Sequence, residues 1–171
     1  MPGLSAVIIA FNEEKYIAET IFSAINQSYK NLKILVSDNC STDNTYEILK
    51  TIKVEHSNII AIKQEKNIGA AENFNFLVET ANTDFFCWLS GHDILQKDYI
   101  SSAVNAFKDN PDLSLVYPKS VQIDEKGILT NIPPSPLISP ENPQLIAKFD
   151  SSRKAVPRLR VKPLPLNLES F

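Results

Sequence analysis

Ala6-Val7-Ile8-Ile9-Ala10-Phe11-Asn12-Glu13-Glu14 passes within nine residues from an unbroken apolar run to a polar turn. A continuously apolar run is the pattern of a strand buried on both faces, as in a parallel sheet. We place that strand at residues 4–11. Asn12 suits a helix N-cap, and Glu13 and Glu14 lie favourably at the positive end of the helix dipole. Tyr16, Ile17, Ile21, Ala24 and Ile25 then recur at helical spacing, which gives the helix one apolar face as far as about Gln27.

The same alternation continues outward. Apolar runs at 32–36, 58–62, 85–89 and 113–121 predict four more strands. Amphipathic stretches predict helices over 45–56, from about 69 to 80, and over 96–108, the last stopped by Asn110-Pro111. Asp124-Glu125-Lys126-Gly127 reads as a turn. Strands alternating with helices predict an α/β fold with a mostly parallel sheet flanked by helices. Right-handed crossovers gather the loops that follow the strands on one edge, where open α/β sheets bind ligands. After Thr130 the character changes, since eight of the 11 prolines lie between Pro133 and Pro165. Two domains are therefore expected: residues 1–130 as the α/β domain and residues 131–171 as a proline-rich, basic tail. The tail is expected to be extended and poorly ordered, with at most a short helix near 144–149.

Composition excludes several classes. Seventeen basic and 20 acidic residues give a net charge of −3, with no basic footprint for nucleic acid. No apolar run approaches the ~18–20 residues of a membrane span. The opening Met1-Pro2-Gly3-Leu4 lacks a basic n-region, so no signal peptide is expected. Two cysteines, Cys40 and Cys87, with no CxxC, argue against a disulfide framework or zinc site. Four glycines in all leave no GxGxxG or P-loop, and no G-x-S-x-G elbow is present. These features together predict a cytoplasmic domain.

The residues after each predicted strand are the ones that carry chemistry. Asp38 and Asn39 follow the second. A carboxylate there accepts hydrogen bonds from a base or ribose edge, or caps its own loop. Gly91-His92-Asp93 follows the fourth. His92 and Asp93 are both ligands for divalent metals, or else Asp93 caps a helix and His92 is solvated. Lys63 and Lys66 face a diphosphate or solvent. Cys87 and Trp88 read as core, and His56 as a surface partner of a helix C-terminus.

The ordered set of motifs resembles the family 2 glycosyltransferases. Ala6 through Ile17 resembles their opening strand and turn. Ser23-Ala24-Ile25-Asn26-Gln27-Ser28-Tyr29 is similar to their S-(I/L)-x-x-Q-(S/T)-(Y/F) helix end. Leu35-Val36-Ser37-Asp38-Asn39-Cys40-Ser41-Thr42-Asp43-Asn44-Thr45 resembles V-D-D/N-x-S-x-D-x-T. Asn67-Ile68-Gly69 through Asn73 resembles N-x-G-x-x-x-N. Trp88-Leu89-Ser90-Gly91-His92-Asp93-Ile94-Leu95 occupies the place of D-x-D-D. The resemblance covers about Leu4 to Thr130.

The resemblance implies the GT-A fold and transfer of a sugar from a nucleoside-diphosphate-sugar donor to an acceptor hydroxyl, usually with inversion. It implies that Ala10, Phe11, Asn12 and Glu13 line the base and ribose pocket, that Asp38 and Asn39 hold the nucleotide, and that Asn67 and Gly91 adjoin it. His92 and Asp93 would lie beneath the diphosphate with a divalent cation, Mn2+ or Mg2+. A UDP-, GDP- or dTDP-sugar is the expected donor, and a glycan or lipid-linked molecule the acceptor, with the chain cytoplasmic or peripheral at the cytoplasmic membrane face. Two departures stand out. Ser90 and His92 replace the usual aspartates, leaving Asp93 as the carboxylate. The family's general base follows the D-x-G turn, but only about 40 residues follow here, and neither Glu141 nor Asp150 is assigned to that role. The expectation is a donor half whose acceptor half is absent or supplied by a partner chain; the alternative is a remnant that folds and binds nucleotide without catalysis.

Overall fold

A computed structural model describes residues 2–118, 121–131, 146–148 and 161–164. The chain forms β1 (Leu4–Ala10), α1 (Ile17–Ile25), β2 (Leu32–Asp38), α2 (Thr45–Glu55), β3 (Ile59–Lys63), α3 (Ala70–Thr80), β4 (Phe85–Ser90) and α4 (Tyr99–Asp109). Short strands β5 (Leu115–Pro118), β6 (Gln122–Ile123), β7 (Leu129–Asn131), β8 (Ile146–Lys148) and β9 (Val161–Leu164) follow. One seven-stranded sheet has the order β3-β2-β1-β4-β8-β5-β9, and β6 and β7 pair separately. The pairs β1–β2, β1–β4, β2–β3 and β5–β9 are parallel, and β8 runs antiparallel to β4 and β5. The expected mostly parallel sheet flanked by helices is what forms.

The path explains which face each helix covers. The chain steps from β1 to β2 to β3, then jumps back past both to β4. Right-handed crossovers put α1 and α2 on one face and α3 on the other. Alternate side chains of β1 divide accordingly. Leu4, Ala6, Ile8 and Ala10 join the core under α1, α2 and α4, and Val7 joins Leu35, Leu77 and Phe86 beneath α3. Ile17, Ile21 and Ala24 of α1, and Thr45, Leu49 and Ile52 of α2, supply the helical side at i, i+4, i+7 spacing. Each fully buried Ile or Leu contributes about 1.5–3 kcal/mol relative to exposure. The strand order reverses direction between β1 and β4, so their carboxyl ends flank the crevice where such sheets bind ligands.

Three expectations are corrected. Asn12 does not cap α1, which starts at Ile17; Asn12 has φ +57° and spends its side chain on Thr42. The strand expected over 113–121 is shorter, Leu115–Pro118, and Gln122–Ile123 belongs to the separate hairpin. The helix expected near 144–149 is a strand at Ile146–Lys148, which supplies backbone partners to β4 that would otherwise lack them on that side. The rest of the expected tail, apart from Val161–Leu164, lies outside the described residues.

Candidate functional site

Ala10, Asp38 and Lys63 lie in one row across the sheet, because Ala10 registers with Asp38 and Asp38 with Lys63. The row marks the carboxyl ends of β1, β2 and β3. Loops springing from it are tied to each other by hydrogen bonds between side chain and backbone. The Asn12 N–H donates to the Ser41 hydroxyl at 2.9 Å, and the Asn12 side-chain oxygen accepts the Thr42 N–H at 2.9 Å. The Glu13 N–H donates to the Thr45 hydroxyl at 2.8 Å. Glu14 accepts from the backbone and side chain of Asn44, each at 3.0 Å. The Ser-x-Asp-x-Thr stretch thus clamps the turn after β1 rather than acting alone.

Asp43 sits inside this clamp. It accepts the Thr45 hydroxyl at 2.6 Å, the Thr45 N–H at 3.0 Å and the Glu14 N–H at 3.1 Å. Burial acts to raise its carboxyl, but the hydrogen bonds from Thr45 and Glu14 prevail and hold it below the ordinary value.

The third loop joins through amides. The Asn39 amide donates to the Asn67 side-chain oxygen at 2.9 Å, and its own oxygen accepts the Ile68 N–H at 2.9 Å. Asn67 also accepts the Gly69 N–H at 2.9 Å. Gly69 has φ +85° and ψ 158°, a region that essentially only glycine occupies, so this entry to α3 needs glycine. Below it, the Asn73 amide donates to the Ser37 carbonyl at 3.1 Å, and its oxygen accepts the Ser37 hydroxyl at 2.5 Å. Asn73 therefore pins α3 to β2 within the core.

Asp38 itself is fully buried. One carboxylate oxygen accepts the Ser41 N–H at 3.2 Å; the other has no hydrogen-bond partner among the described residues. An unsatisfied buried acceptor costs about 1–3 kcal/mol, and among the described residues the Thr20 hydroxyl and the Trp88 indole nitrogen are in the same state. Phe11, by contrast, is 45% exposed at the same edge.

Across the crevice, Gly91 follows β4. A Cβ there would lie 3.0 Å from the Ile9 carbonyl and 3.1 Å from Cγ of Glu13. A side chain there requires the Ile9 carbonyl and the Glu13 stem to give by a few tenths of an ångström. The Glu13 carboxylate meets Nδ1 of His92 at 2.8 Å, with His92 55% and Glu13 20% exposed. The structure thus brings Glu13 to the Gly91-His92-Asp93 turn, a pairing that the sequence reading missed. For a divalent cation the available donors are the free His92 nitrogen and the Asp93 carboxylate, an N/O pair that suits Mn2+. Among the described residues no group of three or more His, Cys, Asp or Glu could hold a metal. This donor set therefore fits a cation only if diphosphate oxygens complete its shell.

The helix-end motif has a different task. The Gln27 amide donates to the Gln96 carbonyl at 2.7 Å, and its oxygen accepts the Ile100 N–H at 3.1 Å. The Ser23 hydroxyl accepts the Leu95 N–H at 3.1 Å. Together they anchor to α1 the segment that carries His92 and Asp93. Of the other residues considered, Lys63 places its ammonium 4.8 Å from the Tyr46 ring centre, and the His56 ring meets Phe22 edge-on at 6.3 Å. Trp88 packs with Phe74 and Phe86. No helix among the described residues is long and apolar enough to cross a membrane.

Comparison with known proteins accords with this geometry. The family model described as glycosyl transferase family 2 matches residues 5–153. The chain is 31% identical over 129 residues to a chondroitin synthase of Escherichia coli, covering 75% of this chain and 19% of that protein. It is 30% identical over 136 residues to an E. coli UDP-Glc:alpha-D-GlcNAc-diphosphoundecaprenol beta-1,3-glucosyltransferase, covering 80% and 53%. The chain therefore spans about half or less of these relatives. Among solved structures, Staphylococcus aureus TarS 1-349 in complex with UDP superposes with a TM-score of 0.72 at 21% identity, over 85% of this chain and 46% of that one. The mannosyltransferase PcManGT of Pyrobaculum calidifontis, in complex with GDP-Man and Mn2+, superposes with a TM-score of 0.63 at 20% identity, over 68% and 35%. The likeness to these structures establishes the GT-A-like fold. The sheet order, the clamped loops at its carboxyl edge and the match over residues 5–153 lead to one assignment: the chain belongs to glycosyltransferase family 2.

Proposed function

We propose that this chain is the donor-binding part of a glycosyltransferase that moves a sugar from a nucleoside-diphosphate donor to an acceptor hydroxyl, with inversion. The observation that carries the reading is the buried Asp38 carboxylate at the carboxyl edge, whose second oxygen has no hydrogen-bond partner among the described residues. A base or ribose donor satisfies it. Ala10, Asn12, Asn39 and Asn67 frame that pocket, and the exposed Phe11 ring is available to stack on the base. UDP-, GDP- and dTDP-sugars all carry such donors. The UDP of TarS and the GDP-Man of PcManGT support this class of ligand.

The diphosphate then lies along Gly91, where the backbone lacks a side chain to obstruct it. His92 and Asp93 would hold a divalent cation, Mn2+ or Mg2+, which offsets the charge developing on the leaving nucleoside diphosphate. No residue of 1–130 is given the role of the general base that takes the acceptor's proton. In this reading the donor domain is residues 1–130 together with β8 and β9, which lie in its central sheet beside β4 and β5. The diphosphoundecaprenol acceptor named for one relative supports a lipid-linked or glycan acceptor, with the protein cytoplasmic and peripheral at the membrane face.

The test is calorimetric titration of wild type and Asp38→Asn with UDP, GDP and dTDP, each with and without Mn2+. Saturable binding of one nucleotide is expected, weakened at least tenfold by Asp38→Asn at an unchanged urea midpoint. Absence of binding to all three, or equal affinity in the variant, overturns the proposal.

A further inference from the structure

We propose that Glu13 is a positioning residue that fixes the ring of His92 as its Nδ1–H tautomer, leaving Nε2 as the lone-pair nitrogen for the donor's divalent cation. This rests on the donor-site reading above, but its first test does not.

The geometry is built from the backbone outward. The Glu13 N–H is held by the Thr45 hydroxyl at 2.8 Å, and the Glu13 carbonyl accepts the N–H groups of Tyr16 and Ile17, each at 2.9 Å. Its side-chain stem passes so close to Gly91 that a Cβ there would stand 3.1 Å from Cγ. The carboxylate consequently ends 2.8 Å from Nδ1 of His92. An ionised carboxylate only accepts, so Nδ1 must carry the hydrogen. A neutral imidazole has one N–H, which leaves Nε2 unprotonated. Histidines that bind metals characteristically donate their other ring N–H to a carboxylate in this way. The pair stands where the sequence departs from the aspartates usual at this turn. Glu13, which the resemblance assigned to the base pocket, thus acts at the diphosphate end.

The chain has only two histidines, His56 and His92, so ring nitrogens are readily assigned in 15N-labelled protein with His92→Gln as reference. Long-range 1H–15N spectra near pH 8, without nucleotide or metal, should show His92 with a protonated Nδ1 and a free Nε2. Glu13→Ala should shift the ring toward the Nε2–H form, while the isosteric Glu13→Gln, whose amide oxygen still accepts, should retain the Nδ1–H form, with dispersed amide signals showing that both fold. A wild-type ring that is mainly Nε2–H overturns the proposal, as does a tautomer unchanged in Glu13→Ala. The second arm titrates Mn2+ in the presence of UDP and follows paramagnetic broadening of the His92 ring signals. Half-maximal broadening should need ~10–100-fold more Mn2+ in Glu13→Ala. Equal titrations, or broadening that spares His92 while UDP binds, would overturn the metal part. Failure of UDP to bind would count against the donor-site reading and leave the tautomer result standing.

Discussion

The side-chain oxygen of Asn12 accepts the backbone N–H of Thr42 at 2.9 Å, across 30 residues of sequence, while Asn12 itself holds φ +57°. Asparagine tolerates that left-handed backbone better than other residues with a Cβ, and the bond to Thr42 makes the strained turn worth keeping. Asn12→Ala should lose both advantages, about 2 kcal/mol in all. Asn12→Gly should lose about 1 kcal/mol or less, since only the hydrogen bond goes. Urea unfolding of both variants checks this; equal losses would show that backbone strain plays no part.

Asp43 gives the loop clamp an acid limit. Its carboxyl is held below the ordinary value of 3.8 in the folded chain, so the stability it contributes is fully present above that value. That contribution disappears as pH falls through the lower folded value. The stability gap between wild type and Asp43→Asn should be flat from pH 5 to 8 and close below about pH 4. A gap independent of pH down to 2 would contradict the hydrogen-bond origin of the shift.

Gly91→Ala should destabilise the fold by about 1–3 kcal/mol, because the new methyl group meets the Ile9 carbonyl at 3.0 Å. It should also displace Glu13 and weaken nucleotide binding beyond what the loss of stability explains. Thermal unfolding and titration on the same samples separate the two effects.

Phe11→Ala should leave stability within about 0.5 kcal/mol, since the ring is exposed. It should weaken nucleotide affinity by about tenfold if the ring stacks on the base. Unchanged affinity would remove Phe11 from the pocket.

The two thiols should behave differently. Burial pushes the Cys87 thiol up to about 12, against a smaller opposing hydrogen bond with Tyr99. Cys40 is part-exposed in the loop after β2, with Sγ 3.8 Å from the Glu65 carbonyl. A thiol reagent at pH 8 should label one site per native chain, Cys40, and reach Cys87 only after unfolding. Mass spectrometry of labelled peptides decides it, and bound nucleotide should slow the native reaction.

The sheet was legible because its strands are apolar runs and its helices repeat at 3.6 residues. Leu4, Ala6 and Ile8 announce burial without any knowledge of partners. Asp38 and the Ser41 to Thr45 stretch were legible as a loop, but not as a clamp, because a clamp needs Asn12 and Glu14 from 30 residues away. Glu13 and His92, 79 residues apart, carry no local signal of contact at all. The strand at Ile146–Lys148 was hidden by neighbouring prolines, whose composition argues for irregular chain even where three residues find a sheet edge. Asn12 misled because a polar residue before a helical pattern has the same signature whether it caps that helix or binds another loop.

The placement of β1 at the heart of the sheet sets a schedule on synthesis. β2 emerges soon after it, but its other neighbour, β4, pairs Leu4 with Phe85, 81 residues later. At ~5–20 residues per second, a ribosome needs about 4–16 s to deliver that partner. Through that interval one flank of the most apolar strand has nothing to pair with. The nascent chain is therefore most vulnerable to sticking before the crevice between β1 and β4 exists, and chaperones would be most useful in those seconds.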